Sequence, residues 1–379
     1  MGWSSMLNLW CAPARRCPRC RPRTGAPRAP PHGTARLSTA AVESTRSAVE
    51  LTRSPHLPID DPVLRGAGPD FPEYVTGARY DFARLCDAYP ALKGRLMEKN
   101  DGTGATMADW GAKSSVVALN AALLKVEFGL EGVVEDLPSG YLVPPVPSRA
   151  DYVRAVAKLV AVPGAAADRR GAVPRGPQVL GVDIGTGASV IFPLLGRAAY
   201  GWSWVATETD DVALTSARQI VERNFGSAQS AIEFVDARPQ APDSERSIFT
   251  PAVVAACAAR PVAFVMCNPP FYASEFEAAA KALQRRKFYL NKRAIATAED
   301  DAPFGGAAHE LWCAGGESAF IETMLHESRA WFLASGGAPI WFTSLISKKK
   351  RLTSLEAIAR DVSRPRPDTQ TAERVGAAS

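Results

Sequence analysis

The sequence predicts a doubly wound α/β domain built on a mostly parallel sheet, and three observations support this. Short apolar runs alternate with helix-like stretches from residue 179 onward. A glycine-rich turn, Gly185-Thr-Gly187, directly follows the first run. Later runs end in Glu208, in Asp236 and in Asn268-Pro-Pro, so polar groups recur where strands stop. In an open α/β sheet this edge is where ligands bind.

The composition is that of an ordinary globular protein with a locally basic N-terminus. Of the 379 residues, 46% are hydrophobic and 22% are charged, which is enough for a sizeable core. The net charge of +5 arises from the first 42 residues, which contain seven arginines and no acidic residue. The remaining chain holds 37 basic and 39 acidic residues. Binding to nucleic acid would therefore depend on local basic patches.

The cysteines and the apolar runs argue against a disulfide scaffold, a zinc site and a membrane span. The seven cysteines form an odd set and mostly stand singly, which indicates a reducing compartment. Cys17-Pro-Arg-Cys20 is the one close pair, and no second pair or histidine completes it, so we expect no metal. The longest uncharged run, residues 330–347, is interrupted by Gly336-Gly337 and Pro339, so we expect no membrane span.

Residues 1–69 are predicted to be a disordered tail rich in arginine and proline. The apolar stretch Met6–Trp10 precedes the arginines, whereas a secretory signal carries its charge first, so we do not expect secretion. An arginine-rich, serine-containing segment without acids until Glu43 is typical of an organelle transit peptide. A solvated basic tail and a wrongly assigned start codon remain alternatives.

Residues 70–160 are predicted to form a small helical module. Apolar residues recur at helical spacing from Tyr80 to Tyr89 and from Val116 to Phe128, and Gly129 follows as a C-cap. Another helix begins near Asp151. The α/β domain is expected over 161–360 and a second disordered tail over 361–379.

The α/β domain is predicted to contain five strands and at least three helices. The strands are residues 179–184, 203–207, 232–235, 262–266 and 338–343. The helices are residues 188–195, 211–224 and 318–333.

Asn268-Pro-Pro-Phe271 carries the strongest chemical signal. Two successive prolines end the strand 262–266, because they remove backbone donors and hold the preceding residues out of the helical region. The Asn268 amide oxygen and the Pro269 carbonyl then offer two fixed acceptors to an NH₂ group, and Phe271 or Tyr272 offers a stacking face for a planar base. The alternative is a proline turn after a buried strand.

The other strand ends indicate a nucleoside-binding edge. Gly185 and Gly187 let a ligand approach the backbone, while Val190 stands where a dinucleotide fingerprint requires glycine, which argues against NAD or FAD. The Glu208 carboxylate can accept both ribose hydroxyls of an adenosine, with a solvated strand end as the alternative. Asp236 repeats this geometry one strand later and could face the adenine, although an ordinary turn aspartate fits equally well.

The order Gly-x-Gly, Glu, Asp and Asn-Pro-Pro-Phe resembles the class I S-adenosylmethionine-dependent methyltransferases. More narrowly, the chain is similar over about residues 78–360 to the methyltransferase-like protein 16 family. Its relatives include a spliceosomal small-nuclear-RNA and a bacterial large-subunit ribosomal RNA (F) adenine-N6 methyltransferase. The segments that carry the similarity are Ala122–Leu130, Val143–Tyr152, Gly181–Gly196, Ala206–Asp211, Met266–Phe271, Gly315–Phe320 and Ser347–Lys350. This resemblance implies a Rossmann-like methyltransferase sheet, RNA adenine-N6 methylation and S-adenosyl-L-methionine as cofactor.

The resemblance also implies roles for individual residues. The donor would be bound by Arg149, Asp183, Gly185, Gly187, Glu208, Asp236 and Asn268, and the target adenine by Asn268, Pro269, Pro270 and Phe271. From the sequence alone, Arg149 is expected to lie on a solvated helix. By accepting both amine hydrogens, Asn268 and Pro269 would favour the pyramidal nitrogen of an in-line transfer, so no strong general base is required. The adenine must leave its stack to reach this pocket.

Two basic clusters are predicted to contact a structured small nuclear or ribosomal RNA, and we expect a monomer. Arg285, Arg286 and Lys287 lie in a long insertion, residues 273–314, which we interpret as a flexible RNA-gripping loop. A solvated helix face is the alternative. Lys348, Lys349 and Lys350 follow the last predicted strand and match the family.

Three questions stay open at this point. The rival functions are a protein glutamine methyltransferase and a non-catalytic RNA-binding protein with the same fold. The resemblance implies a nuclear or cytoplasmic protein, whereas the N-terminus favours a mitochondrion or another organelle. The family continues with two more strands that residues 361–379 cannot form. We therefore expect an unpaired edge on the last strand, and either a truncated gene model or a marginally stable, aggregation-prone protein.

Overall fold

The computed structural model describes residues 5–11, 80–98, 106–110, 112–161, 173–226, 231–239, 247–292, 306–334 and 340–362. Most of the two predicted tails, residues 12–69 and 363–379, and with them the proposed transit-peptide region, lie outside the described residues.

Eight strands and ten helices are present in this part of the chain. The strands are β1 (Ser5–Cys11), β2 (Leu96–Glu98), β3 (Thr106–Ala108), β4 (Leu180–Ile184), β5 (Ser203–Glu208), β6 (Ile232–Asp236), β7 (Val262–Cys267) and β8 (Ile340–Ile346). The helices are α1 (Phe82–Ala88), α2 (Lys113–Phe128), α3 (Val146–Val160), α4 (Ile191–Tyr200), α5 (Asp211–Phe225), α6 (Pro251–Cys257), α7 (Glu275–Lys292), α8 (Ala308–Leu311), α9 (Gly316–Ala334) and α10 (Leu352–Val362). Short 3₁₀ turns cover Pro90–Arg95 and Lys349–Arg351.

The main sheet has the order β1-β8-β7-β4-β5-β6. Its five strands from β4 to β8 are parallel, as predicted, and β1 is antiparallel to β8. The order reverses beside β4, so β4, β5 and β7 end around one crevice. This places the Gly185 turn, Glu208 and Asn268 at the same edge.

Two hydrophobic clusters cover the two faces of this sheet. On one face, α4 and α5 pack together with the helical module, and Trp202, Trp204 and Phe264 form an aromatic cluster. On the other face, α6, α9 and α10 pack against alternate residues of β4, β7 and β8. The doubly wound arrangement follows from the near-continuous apolar runs of the central strands, which are buried on both faces.

The helical module docks onto the sheet through α3. Asn120 on α2 is buried, and its amide oxygen accepts a hydrogen bond from the Val146 N–H at 2.9 Å, where α3 begins. Its amide nitrogen donates to the Val116 carbonyl at 2.8 Å. At the other end of α2, Gly129 has a φ of 66° and provides the predicted C-cap. These contacts fix the direction in which α3 leaves the module.

Helix α4 begins three residues later than the sequence predicted. The turn before it contains Gly185 and Gly187, whose φ angles are 68° and 65°, and Val190, whose φ is 44°. A β-branched residue rarely adopts this left-handed conformation, and Val190 does so while fully buried. The regular helix therefore starts only at Ile191.

Two predictions about segments outside the core sheet were wrong. The insertion that we interpreted as a flexible loop contains α7, so Arg285, Arg286 and Lys287 lie on a helix. The predicted unpaired edge of β8 is covered, because Ser5–Cys11 forms an antiparallel strand along β8 from Ile346 to Ile340. This stretch was included in the disordered tail, and only its apolar composition pointed to a strand. None of the described helices is both long and apolar enough to cross a membrane.

Candidate active site

The glycine turn after β4 is held by the end of β5. The Thr186 N–H donates to the Thr207 carbonyl at 2.8 Å, and the Gly185 N–H donates to the Thr207 hydroxyl at 3.3 Å. The Gly187 N–H donates to Glu208 Oε2 at 2.9 Å. Both glycines need a left-handed backbone, so a side chain at either would strain the turn. The turn is thus fixed before any ligand arrives.

Glu208 is buried at the end of β5 and lines the pocket. Its Oε1 accepts hydrogen bonds from the Thr209 and Asp210 backbone N–H groups at 2.7 and 3.2 Å. Since a carboxylate has about four acceptor positions, Oε2 keeps capacity beyond its bond to Gly187. Glu208 therefore has an acceptor position that is open to a ribose hydroxyl, and its role in donor binding stays a prediction.

Asp183 lies beneath the turn and does not line the pocket. It is fully buried, and its Oδ2 accepts a hydrogen bond from the Thr186 hydroxyl at 2.8 Å. Burial raises its pKa from 3.8 to about 7, and Glu208 adds to this, although Thr186 and Arg149 act in the opposite direction. Asp183 supports the turn instead of forming its surface.

Arg149 is buried and lines the pocket, so its expected position in solvent was wrong. Its guanidinium lies 5.8 Å from the centre of the Phe192 ring. Burial lowers the pKa of Arg149 to about 10, against the attraction of Asp183, so it stays protonated at neutral pH. A protonated guanidinium in a pocket is suited to a carboxylate. The periodicity of α3 could not reveal that this face meets the sheet.

Asn268, Pro269 and Pro270 also line the pocket, beside the glycine turn, because Cys267 pairs with Ile184. The strand β7 stops at Cys267, and the prolines carry the chain away from the sheet as predicted. Among the described residues, the buried Asn268 Oδ1 has no hydrogen-bond partner. A buried acceptor of this kind costs free energy unless a ligand satisfies it. Asn268 is therefore ready to bind an N–H group.

Phe271 and Asp236 are placed differently from these residues. Phe271 is partly buried beside Tyr272, at 6.4 Å between ring centres, and its N–H donates to the Leu311 carbonyl at 3.0 Å. The residues that line the described pocket do not include Phe271 or Asp236. Asp236 is exposed, and Arg238 holds its carboxylate with bonds of 2.5–2.9 Å. This favours an ordinary structural role for Asp236.

Part of the pocket lining comes from the loop before α3 and from α8, which the sequence analysis did not assign to it. Glu310 accepts hydrogen bonds from the Leu142 and Ala307 N–H groups at 2.9 and 2.8 Å. Burial raises its pKa despite these bonds. Tyr141 donates to Asp210 Oδ2 at 2.5 Å. These bonds connect the helical module to α8 and to the start of α5, and the local sequence carries no signal for either contact.

The basic residues predicted to bind RNA lie outside the pocket. Lys348, Lys349 and Lys350 are exposed just after β8, on the same edge of the sheet as Asn268. The buried Glu317 anchors this turn, because its carboxylate accepts bonds from the Ser347 N–H at 2.6 Å and from Arg351 at 2.5 Å. On α7, Lys287 is exposed. The described residues hold no cluster of three or more His, Cys, Asp or Glu suited to a metal ion.

The chain matches a protein-family model described as RNA methyltransferase over residues 72–366. A curated relative, the ribosomal RNA large subunit methyltransferase F of Pseudoalteromonas atlantica, is 36% identical over 304 residues, which cover 76% of this chain and 83% of that protein. The protein of the same name from Bacteroides fragilis is 37% identical over 281 residues, which cover 74% of this chain and 86% of the relative.

Solved structures of similar fold include the catalytic domain of human METTL16 in complex with RNA hairpins of the MAT2A 3′UTR. The complex with hairpin 1 is 27% identical, has a TM-score of 0.55 and is matched over 76% of this chain and 85% of that one. The complex with hairpin 6 is 29% identical, has a TM-score of 0.53 and is matched over 76% and 87%.

The pocket fits the methyl donor of this group of enzymes, S-adenosyl-L-methionine. In such a complex, Glu208 would accept ribose hydroxyls, Arg149 would bind the donor carboxylate, and the open backbone at Gly185 would let the donor approach. When bound, the donor supplies a methyl group activated on its sulfonium. With its fold, its pocket and its relatives in agreement, the chain belongs to the RNA methyltransferase family.

Proposed function

We propose that this chain is an adenine-N6 methyltransferase that acts on a base flipped out of a structured RNA. The single observation that carries the proposal is Asn268 Oδ1, a buried acceptor without a partner among the described residues, on a residue that lines the donor pocket. Of the RNA nucleobases, adenine, cytosine and guanine carry an exocyclic amine that could satisfy it. The Pro-Pro backbone beside it supplies the Pro269 carbonyl as a second acceptor.

The chemistry of the amine explains why acceptors are needed here. The lone pair of an aromatic amine is delocalised into its ring, so the nitrogen is a poor nucleophile. Two acceptors that hold its hydrogens favour the pyramidal form, in which the lone pair points toward the donor. This is a positioning and electrostatic effect, and such contacts contribute about 3–4 kcal/mol in other enzymes. After transfer the methylated nitrogen carries a positive charge and is strongly acidic, so it releases one proton to solvent water and no protein base is required.

A ribosomal substrate is supported by the relatives. The curated proteins of about 36% identity are named ribosomal RNA large subunit methyltransferases, whereas the human enzyme with RNA hairpins is at most 29% identical. We therefore assign large-subunit ribosomal RNA to this chain as its substrate. The exposed Lys348–Lys350 turn and Lys287 on α7 supply the basic contacts for its phosphates.

Nucleoside analysis after methylation in vitro tests this function. The purified chain is incubated with labelled S-adenosylmethionine and, separately, with large-subunit ribosomal RNA, small nuclear RNA and a release-factor protein. The RNA is then digested to nucleosides and separated. We expect the label in N6-methyladenosine from ribosomal RNA alone. Label in another base or in protein glutamine, or donor binding without any transfer, would contradict the proposal.

A further inference from the structure

The strands β7 and β8 separate just before the active site. Their pairing includes Phe264 with Trp341 and Val265 with Phe342, and it does not continue to Cys267. On the other side, β7 stays paired with β4 as far as Cys267, which pairs with Ile184. The residue that precedes Asn268 is thus held by only one neighbouring strand. Two side chains fill the gap on the β8 side.

These side chains are Tyr152 of α3 and Thr343 of β8, both buried. The Cys267 N–H donates to the Tyr152 hydroxyl at 3.3 Å, and the Tyr152 and Thr343 hydroxyls are 2.7 Å apart. The Thr343 hydroxyl lies 2.8 Å from the Val265 carbonyl. Since a carbonyl only accepts, Thr343 gives its proton to Val265, and Tyr152 must therefore donate to Thr343.

The result is a directed chain of three hydrogen bonds, from the Cys267 N–H through the Tyr152 and Thr343 hydroxyls to the Val265 carbonyl. It replaces the backbone bonds that β8 would otherwise make with the end of β7. Every hydroxyl proton in it has one acceptor. Because the chain is buried, removal of one member leaves an unsatisfied polar group beside Asn268.

Helix α3 serves the active site at two positions one turn apart. Arg149 lines the donor pocket, whereas Tyr152 does not touch it and reaches the end of β7 instead. The Phe192 ring contacts both, with its centre 5.2 Å from that of the Tyr152 ring and 5.8 Å from the Arg149 guanidinium. The helical module and the strand that carries Asn268 are therefore mechanically connected through Tyr152.

We propose that Tyr152 is a positioning residue for methyl transfer, which fixes the backbone at Cys267 so that the Asn268 amide and the Pro269 carbonyl face the acceptor amine. The expected effect on methyl transfer rests on the proposed function. The effect on the backbone at Cys267 does not depend on it. Thr343 acts with Tyr152 as the second member of the same bridge.

The test compares Tyr152→Phe with Tyr89→Phe, a control that removes the hydroxyl of a partly buried tyrosine in the same module, where that hydroxyl donates to the Glu135 carboxylate. For Tyr152→Phe we expect a 10- to 100-fold lower kcat per folded molecule. The KM for RNA and the Kd for S-adenosylmethionine should change less than threefold. Amide hydrogen exchange in the segment around Cys267 should become at least tenfold faster. Tyr89→Phe should leave all four quantities unchanged.

Thr343 provides an internal check on the same bridge. Thr343→Val should lower kcat as Tyr152→Phe does, whereas Thr343→Ser, which keeps the hydroxyl, should retain most of the wild-type kcat. The double variant Tyr152→Phe with Thr343→Val should have a kcat no lower than that of the less active single variant. An unchanged kcat in folded Tyr152→Phe enzyme would overturn the inference. If the wild type methylates no RNA adenine, the proposed function fails. The structural part can still be tested in that case, because an unchanged rate of amide hydrogen exchange near Cys267 in Tyr152→Phe would contradict the bridge.

Discussion

At the scale of single residues, the active site combines buried polar and charged groups. Only a ligand or a neighbouring residue can offset the free-energy cost of burying them. Asn268 has an acceptor without a partner among the described residues, Arg149 a buried charge, and Asp183 a carboxyl whose pKa lies near 7. Such perturbed groups cluster where function requires them. The sequence already pointed to these three positions, but it could not show that Arg149 is buried or that Asp183 supports the turn from below.

The Asp183 carboxyl predicts a pH dependence of stability. Its pKa is higher in the folded protein, at about 7, than the ordinary value of 3.8, because burial disfavours the charge. The folded state therefore binds more protons, and this contribution to stability is present below pH 4 and is lost as the pH rises through 7. Relative to Asp183→Asn, the wild type should lose about 1.4 kcal/mol per pH unit across this range.

Urea unfolding of both ligand-free proteins at pH 5, 6, 7 and 8 measures this difference. Asparagine keeps an oxygen that can accept the bond from the Thr186 hydroxyl, so the variant isolates the charge. The difference between the free energies of unfolding of the wild type and of Asp183→Asn should change up to about pH 7 and stay constant above it. Profiles that are parallel throughout would mean that Asp183 titrates as it does in water.

At the scale of elements, the surface that we propose faces RNA is built from two segments with a defined backbone structure. The turn Lys348–Lys350 is fixed from below by the buried carboxylate of Glu317, which also binds Arg351. The insertion after Asn268 contains a regular helix, α7, instead of a loop. If α7 contacts phosphates as proposed, its backbone is already ordered, so the entropic cost of ordering it when RNA binds is smaller.

Replacing Lys348, Lys349 and Lys350 with alanine should weaken RNA binding, because fewer phosphates are neutralised. For single-stranded RNA, the slope of log K against log salt should fall by about 0.7 for each phosphate that the variant no longer binds. Binding is measured by fluorescence anisotropy from 50 to 300 mM salt, with the exposed Lys158→Ala on α3 as the control. A triple variant with the slope of the wild type would show that this turn is an ordinary solvated surface.

At the scale of the whole molecule, the sheet is completed by a segment from the other end of the chain. The seven residues Ser5–Cys11 pair with all seven residues of β8, in a register from Ser5 with Ile346 to Cys11 with Ile340. An uncovered hydrophobic edge strand promotes association between molecules. The N-terminal strand β1 thus pairs with the edge of β8 that the sequence analysis predicted to be unpaired.

Disrupting β1 should therefore make the protein less stable and prone to self-association. Asn8→Pro with Leu9→Pro removes at least one backbone donor from the ladder, because the N–H groups of successive residues in an edge strand point alternately toward and away from its partner, and Asn8→Ala with Leu9→Ala is the control that retains both. We expect the proline variant to lose about 1–3 kcal/mol in the free energy of unfolding, since the gain from hydrogen bonds is partly offset by ordering entropy. It should also elute as larger species at high concentration.

Light scattering measures the self-association of the variants, and thermal melting measures their stability. A proline variant that melts like the wild type and stays monomeric would show that β8 does not depend on β1 for its cover.

The parts that the sequence could predict are those with a local pattern. The strand ends at Glu208 and Asn268 were predicted correctly, because apolar runs stop there at residues with distinct chemistry. The bridge from Tyr152 to Thr343 spans 191 residues, and β1 pairs with a strand more than 300 residues later, so no local signal marks either. The sequence analysis missed Glu310 as a pocket residue for the same reason, since its partner Leu142 belongs to another module.

The role of Asn268 is the central claim, and one comparison tests it most directly. Single-turnover transfer to RNA and calorimetric binding of S-adenosylmethionine are measured for the wild type and for Asn268→Ala. Because the amide acts on the acceptor amine, the transfer rate should fall by about 10²–10³ while donor affinity stays within about threefold. A folded Asn268→Ala protein that transfers methyl groups at a near-normal rate would contradict the account.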